Sequence, residues 1–414
     1  MTGFAYVDGE LHAEGVALSA IAARFGTPCY VYSRAAIEAA YREYDRALAG
    51  VPHLVCYAIK ANGNLAVLDI LARLGSGFDI VSGGELARVL AAGGSAARTV
   101  FSGVGKTDAE MAAAIDAGVL CFNVESEAEL VRLAAVAAQR QVRVPVSLRV
   151  NPDVDPRTHP YISTGLKESK FGIPIDDAPR LYRAAAALPS LVVTGVDMHI
   201  GSQITELGPF RDAATKVLGL VDALAAAGIV LAHVDLGGGL GVTYRDEQPV
   251  SLDDYAAMVR ELMRGRPQQL LVEPGRRLVA GAGVLLTRVV YEKRTPGHGF
   301  AIVDAAMNDL LRPALYDAWH RVDAVRPRAG AAERWDIVGP VCESADFIAR
   351  GRDLALAEGD LLAVRTAGAY GMAMSSNYNA RPRACEVIVD GDAMHLARRR
   401  ERVEELFALE SRLP

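Results

Sequence analysis

Eight short apolar runs, each ending on polar residues or glycine, constrain this chain more than any other feature. They cover residues 54–60, 78–82, 99–103, 120–124, 144–150, 192–200, 233–239 and 269–275. Between them, apolar residues recur at three- and four-residue spacing, the period of a helix buried on one side. "NLAVLDILARLG", "GELARVLAAGG", "DAEMAAAIDAG" and "SEAELVRLAAVAAQRQ" are the first four such stretches, and three more lie near 176–187, 210–227 and 252–264. Ser126 and Ser251, each ahead of acidic residues, read as N-caps. Strands that are apolar without a break are buried on both faces, as in parallel sheets. Eight strands and seven helices, with an eighth helix from 34–48, predict an α/β chain whose centre is a (β/α)8 TIM-like barrel. The rival is an open doubly wound sheet. The strand count and the polar residues at the strand ends favour the barrel.

Past residue 280 the pattern changes. "GVLLTRVVYEKR", "GFAIVDAAM", "RWDIVGPVC", "LLAVRTAGAY" and "RACEVIVDG" read as strands joined by turns, with little helix between them. The N-terminal "GFAYVDGELHAEG" and "PCYVYS" read the same way. The expected organisation is a barrel over 34–280 and an antiparallel β-domain, Greek-key-like, built from both chain ends, 1–33 plus 281–414. At 414 residues, with half the composition hydrophobic, the chain can bury two such cores. A net charge of −6 argues against a nucleic-acid backbone or an anionic membrane as partner. Five scattered cysteines without a CxxC pair suggest free thiols in a reducing compartment. No secretory leader is read at the start, and no apolar run reaches the roughly 18 residues of a membrane span. The expected location is the cytoplasm.

In a barrel of this kind the chemistry lies at the C-terminal ends of the strands. Those ends read Lys60, Asp79, Asn123 with Glu125, Arg149, His199, Gly237-Gly238-Gly239 and Glu273. Lysine is ordinarily a surface residue, so Lys60 at the end of "CYAIK" would by itself be a solvated cap. In company with the other ends it reads as a group aimed into a site. The glycines of "DLGGGLG" (235–241) let backbone N–H groups approach an anion. "EPGR", residues Glu273, Pro274, Gly275 and Arg276, adds a second close turn with an arginine. Loops after strands seven and eight form the usual phosphate site of this barrel. A glycine run alone is equally a tight turn; the two loops together favour phosphate. Pyridoxal 5'-phosphate needs a lysine for its aldehyde, an electron-draining ring and a bound phosphate. Glu273 suits its ring nitrogen, because a carboxylate keeps that nitrogen protonated and strengthens the electron sink that loss of CO2 requires. His199 suits the ring face, although a lone histidine is more readily a core residue.

"YAIKAN", "MHIGSQ", "GGGLG", "EPGR" and "CESAD", in this order, resemble the fold-type III pyridoxal-phosphate decarboxylases. The longer marks "HPYISTGLKESKFGI" (159–173), "MNDLLRPALYDAWH" (307–320) and "GAYGMAMSSNYNARPR" (368–383) are most similar to the branch acting on meso-diaminopimelate, which yields L-lysine and CO2. The resemblance implies that Lys60 holds the cofactor and His199 stacks on its ring. It implies that Asp79, Ser202, Gly237, Gly238, Gly239, the Glu273–Arg276 turn and Tyr370 complete the cofactor site. Arg276, Arg312, Tyr316, Glu343 and Tyr370 would bind substrate, and Cys342 would reprotonate the carbon that lost CO2. It also implies a homodimer with shared active sites, Cys342 and Glu343 reaching the partner's barrel. No metal is called for.

The residue chemistry agrees with that substrate. Arg276 and Arg312 offer planar forks for a carboxylate, and Glu343 accepts from a distal ammonium. A decarboxylase that makes a plain diamine needs less arginine and more acid. Cys342 alone would read as a small buried hydrophobe; its "CES" context argues otherwise. The chain departs from the family pattern at Ala306 and Ala345, where glycine is expected, and at Trp319, where tyrosine is common. The alternatives are a decarboxylase of ornithine, arginine or a carboxylated polyamine, an amino-acid racemase, and a non-catalytic relative. Segment 157–173 is the candidate cover of the site.

Overall fold

The computed structural model describes residues 3–155 and 170–414. Most of the candidate cover and of the "HPYISTGLKESKFGI" stretch therefore lies outside the described residues. The chain divides into two compact units. One comprises residues 40–242 and 248–277; the other comprises 1–39, 243–247 and 278–414.

The first unit is a closed parallel barrel. Its strands are β1 (His53–Ala58), β2 (Gly77–Ile80), β3 (Thr99–Phe101), β4 (Cys121–Val124), β5 (Val144–Asn151), β6 (Leu191–Asp197), β7 (His233–Asp235) and β8 (Gln269–Val272). Each pairs in parallel with its neighbours, and β8 closes on β1 through Leu270↔His53 and Val272↔Val55. The connecting helices are α1 (Leu65–Arg73), α2 (Gly83–Ala91), α3 (Asp108–Ala117), α4 (Glu127–Gln139), α5 (Ala178–Ala186), α6 (Leu207–Ala226) and α7 (Leu252–Leu262). Their starts follow from the sequence. Ser126 and Ser251 accept the backbone N–H of Glu129 and Asp254, as expected of caps, and Asn64 and Ser82 do the same for α1 and α2. Thr107 and Glu110 close a reciprocal capping box on α3.

Side chains alternate across a strand, so residues two apart share a face. Leu54, Cys56, Val100, Cys121 and Leu271 form one buried apolar cluster inside the barrel. His233 joins that layer, its ring 3.7 Å from the Cys121 thiol, and burial pushes its pKa down to about 4. Gly195 on β6 makes room for the ring, since a Cβ there would lie 2.0 Å from His233 Nε2. Two residues further along each strand, roughly 6–7 Å higher, the same face turns polar. Asp79, Ser102, Asn123, Arg149, Asp197, Asp235 and Glu273 are all buried there. An apolar floor thus carries a polar ceiling at the C-terminal mouth.

The second unit has a large sheet and a small one. The large sheet orders strands Phe347–Leu354, Glu333–Val338, His298–Val303, Gly283–Thr295, Cys29–Ser33, Cys385–Asp390 and Ala393–Arg398. Leu361–Val364 pairs with Gly283–Thr295 and with Val322–Ala324. The stretches read as strands are strands, but the sheet is mixed rather than wholly antiparallel. His298–Val303 runs parallel to Glu333–Val338, and Cys29–Ser33 runs parallel to Cys385–Asp390. Neither pair is joined by a hairpin, so no short turn dictates its direction. "GFAYVDGELHAEG" forms a separate three-stranded sheet, Phe4–Val7, Glu10–Ala13 and Val16–Ala17. The helix expected near 34–48 spans Arg34–Ala47 and is divided between the units after Ala39.

Candidate active site

Strand β1 ends at Ala58, and a short 3-10 turn, Ile59–Ala61, carries Lys60 past the strand end. Its side chain remains 36% exposed while Nζ donates to Oδ2 of the fully buried Asp79 on β2. The amine is therefore held at the mouth by a buried carboxylate, on a side chain still partly exposed.

At the same mouth, three loops converge. A Cβ at Gly237 would lie 2.3 Å from Met198 O, one at Gly238 2.2 Å from Glu273 O, and one at Gly239 2.5 Å from Gly201 O. Glycine is thus required for the loops after β6, β7 and β8 to meet backbone to backbone. Gly237 (φ 65°) and Gly239 (φ 113°) also take conformations that other residues rarely adopt. Gln203 ties the assembly across the loops, donating to Val242 O at 2.6 Å and accepting from Val242 N at 3.1 Å. Beside them Arg276 Nη2 donates to Ser202 Oγ at 3.0 Å. A glycine cradle flanked by a hydroxyl and a buried guanidinium fits a bound phosphate.

His199 lies between these groups. The Gly238 N–H donates to its Nδ1 at 3.2 Å, which leaves the ring hydrogen on Nε2. Burial, and then the positive charges of Arg149 and Lys60, push its pKa well below the usual histidine value. It is a neutral ring at physiological pH, suited to lie against a flat heterocycle.

Glu273 stands in the ceiling with Ser102 Oγ 3.5 Å from Oε1. Burial raises its pKa well above the carboxylate range, and Asp235, Asp79 and Asp197 add to the rise while Lys60 opposes it. Burial likewise lifts Asp197 to about 7, against the pull of Arg149. Arg149 Nη1 donates to Glu125 at 3.3 Å, and its Nε lies 3.9 Å from Asp197. Burial pulls this guanidinium down, but Glu125, Asp197, Glu273 and Asp79 outweigh it and hold the group charged. A site so rich in buried acid favours a cation at Glu273, which is what a protonated pyridine nitrogen would be. Lysine, neutral imidazole, phosphate cradle and buried acid are therefore a set that fits pyridoxal phosphate.

Residues 34–280 match the family described as pyridoxal-dependent decarboxylase, pyridoxal binding domain. The chain is 66% identical to the diaminopimelate decarboxylase of Pseudomonas aeruginosa, over all of both chains. It belongs to the diaminopimelate decarboxylases, a pyridoxal-dependent family. Among solved structures, the diaminopimelate decarboxylase of Helicobacter pylori, complexed with L-lysine, is 42% identical with a TM-score of 0.92. That match covers 95% of this chain and 99% of the other. The enzyme of M. jannaschii, in co-complex with L-lysine, reaches a TM-score of 0.95 at 38% identity, covering 100% and 99%.

The other residues that the decarboxylase pattern singles out lie in the second unit. Arg312 is buried, with its guanidinium 4.4 Å over the Tyr244 ring, and Nη1 donates to His320 Nε2 at 2.8 Å. His320 Nδ1 donates to Arg365 O at 2.9 Å, so the imidazole is fixed as an acceptor towards Arg312. Tyr316 closes the helical turn Arg312–Tyr316. Cys342 and Glu343 are exposed. The Cys342 N–H donates to Asn379 Oδ1 at 2.7 Å, and Tyr378 Oη lies 3.5 Å from Glu343. The "CESAD" loop is anchored by its aspartate: Asp346 accepts from Met307 N at 2.6 Å and Val341 N at 2.7 Å. Tyr370 takes a left-handed backbone (φ 56°), unusual for a bulky residue and typical of functional loops. Trp319, the departure from tyrosine, stacks under the Arg352 guanidinium at 4.3 Å. Ala306 abuts Gly339, where a Cβ would lie 2.6 Å from its own.

Sequence reasoning missed Ser102, Asp197, Asp235 and His320. The two aspartates were legible as acids inside apolar runs, "GVDMH" and "HVDLG". Nothing in the sequence pairs His320 with Arg312.

Proposed function

We propose that this chain decarboxylates meso-2,6-diaminopimelate to L-lysine and CO2, using pyridoxal 5'-phosphate at the barrel mouth. The observation that carries the reading is the convergence of Lys60 on Asp79, the glycine cradle and buried Glu273 in a chain of this family. When bound, the cofactor supplies an electron sink for the pair left behind as CO2 departs.

The chain's own residues do the rest. Lys60 would hold the cofactor's aldehyde until the substrate's amino group replaces it, and Asp79 would pair with the lysine ammonium, as it does here. Glu273 holds the proton on the ring nitrogen, so the sink stays strong. His199 presents an uncharged face whose orientation the Gly238 N–H fixes. Ser202, the glycine cradle and Arg276 hold the phosphate. Arg276 and Arg312 bind substrate carboxylate, the latter aimed by His320. Glu343 accepts from the distal ammonium, and the Tyr316 and Tyr370 hydroxyls complete the substrate contacts. Cys342 returns a proton to the carbon that lost CO2.

The test is release of CO2 and lysine from meso-diaminopimelate with added cofactor. The expected rate exceeds that on ornithine, arginine or a carboxylated polyamine by at least about 10⁴-fold, the discrimination open to a site built to bind a polar group. Comparable rates on ornithine would overturn the substrate assignment.

The working form in this reading is a cytoplasmic homodimer, consistent with five free cysteines. Among the described residues, no helix is long and apolar enough to cross a membrane. Cys342 and Glu343, exposed in the single chain, complete the partner's site. Mixing inactive Lys60→Ala and Cys342→Ala proteins is then expected to restore activity, because hybrid dimers regain one intact site. No recovery, with hybrid formation verified by mass, would contradict shared sites.

A further inference from the structure

The ceiling of the barrel contains two acids, Asp197 and Asp235, that none of these roles uses. Asp235, at the end of β7, is 0% exposed. One oxygen, Oδ1, accepts the Gly237 N–H at 2.8 Å and so pins the first glycine of the cradle. The other, Oδ2, is buried without a hydrogen-bond partner, as are both oxygens of Asp197. Carboxylate oxygens of Asp197, Asp235 and Glu273 lie within 4.8 Å of one another. Like charges that close, out of water, do not all ionise. Glu273 must be the ionised member when a cationic ring nitrogen faces it. A neighbour must then be neutral, and Asp235 is the one that also holds the cradle, its orphan oxygen lying in the same acid cluster as Glu273.

We propose that Asp235 is a positioning residue that acts as a neutral carboxylic acid. Oδ1 accepts from the cradle, and the Oδ2 hydroxyl donates to Glu273, holding that carboxylate towards the ring nitrogen. One side chain thereby links the two ends of the cofactor site, phosphate cradle and pyridine partner. The inference rests on the cofactor reading above. Charges facing the pair come from Lys60, Asp79, Arg149 and Asp197, and the Cys56 and Cys121 thiols are kept neutral by burial. Burial, with Asp197 next, also pushes Asp235 well above the ordinary carboxylate range, while the Gly237 N–H and the Glu273 side chain oppose the rise.

The amide of asparagine copies a protonated acid: its carbonyl can accept from Gly237 and its NH₂ can donate to Glu273. The experiment titrates cofactor into cofactor-free wild type, Asp235→Asn and Asp235→Ala between pH 6 and 9, following absorbance. Asp235→Ala is expected to weaken cofactor binding by about 10–100-fold, the usual cost of removing a group that orients a ligand. Asp235→Asn is expected to bind within about threefold of wild type, with the same dependence on pH, because no charge has changed. If Asp235→Asn is as weak as Asp235→Ala, or its pH dependence shifts, the residue acts as an ionised carboxylate and the proposal is wrong. Binding that is lost to a chelator and regained with a divalent cation would also overturn it, since the three acids would then hold a metal. Circular dichroism of each variant separates misfolding from lost contacts. Wild type is the control: its failure to bind would sink the functional reading rather than this inference.

Discussion

Replacing Lys60 by alanine is expected to abolish turnover, with a loss on the order of 10⁴-fold or more, the size seen when one member of a catalytic unit is removed. The yellow colour of the bound cofactor should disappear while the fold survives. The reason is geometric. Lys60 leaves β1 through a 3-10 turn, and Asp79 holds its amine where an aldehyde can reach it. Alanine supplies no amine at that point, and the remaining cradle binds phosphate without fixing the reacting carbon. The side chain is partly exposed, but its loss leaves the buried Asp79 carboxylate without that donor, so stability should fall by about 1–3 kcal/mol without loss of the fold. Near-normal turnover in Lys60→Ala would remove the basis of the mechanism.

A second large effect is expected at Glu273. Glu273→Gln keeps the shape but cannot hold a proton on a pyridine nitrogen. The sink weakens, and decarboxylation should slow by roughly 10²–10⁴-fold, or about 3–5 kcal/mol of barrier. Cofactor content should stay high, because Lys60 and the cradle remain. The loss therefore belongs in kcat rather than in cofactor occupancy. The substitution also removes one acid from a crowded buried cluster, so the cofactor-free protein should become no less stable. Loss of cofactor with normal turnover per occupied site would show that Glu273 serves binding alone.

Much of this arrangement is legible in the residues themselves. The strand runs predict the barrel because parallel strands buried on both faces are apolar throughout. Their last residues predict the mouth because period-2 alternation carries the inner face from Val100 to Ser102, from Cys121 to Asn123 and from Leu271 to Glu273. The glycine run is informative because 237, 238 and 239 each face a backbone carbonyl from another loop. Other features depend on contacts far apart in the chain. The parallel pairing of Cys29–Ser33 with Cys385–Asp390 joins residues more than 350 apart, and no local pattern encodes its direction. The mutual burial of Asp197, Asp235 and Glu273 arises only when β6, β7 and β8 lie side by side. The hydrogen bond that makes His320 the support of Arg312 is likewise a matter of rotamer and tautomer, which spacing does not specify.

The central claim is that one amine binds the cofactor. The chain has six lysines, Lys60, Lys106, Lys167, Lys170, Lys216 and Lys293, so the claim can be read directly. Borohydride reduction of the cofactor-loaded enzyme, followed by proteolysis and mass analysis, fixes a pyridoxyl group to whichever lysine holds it. One pyridoxyl group per chain, on the peptide containing Lys60, is the predicted result. A pyridoxyl group on any other lysine of the active enzyme, with Lys60 unmodified, would contradict the account.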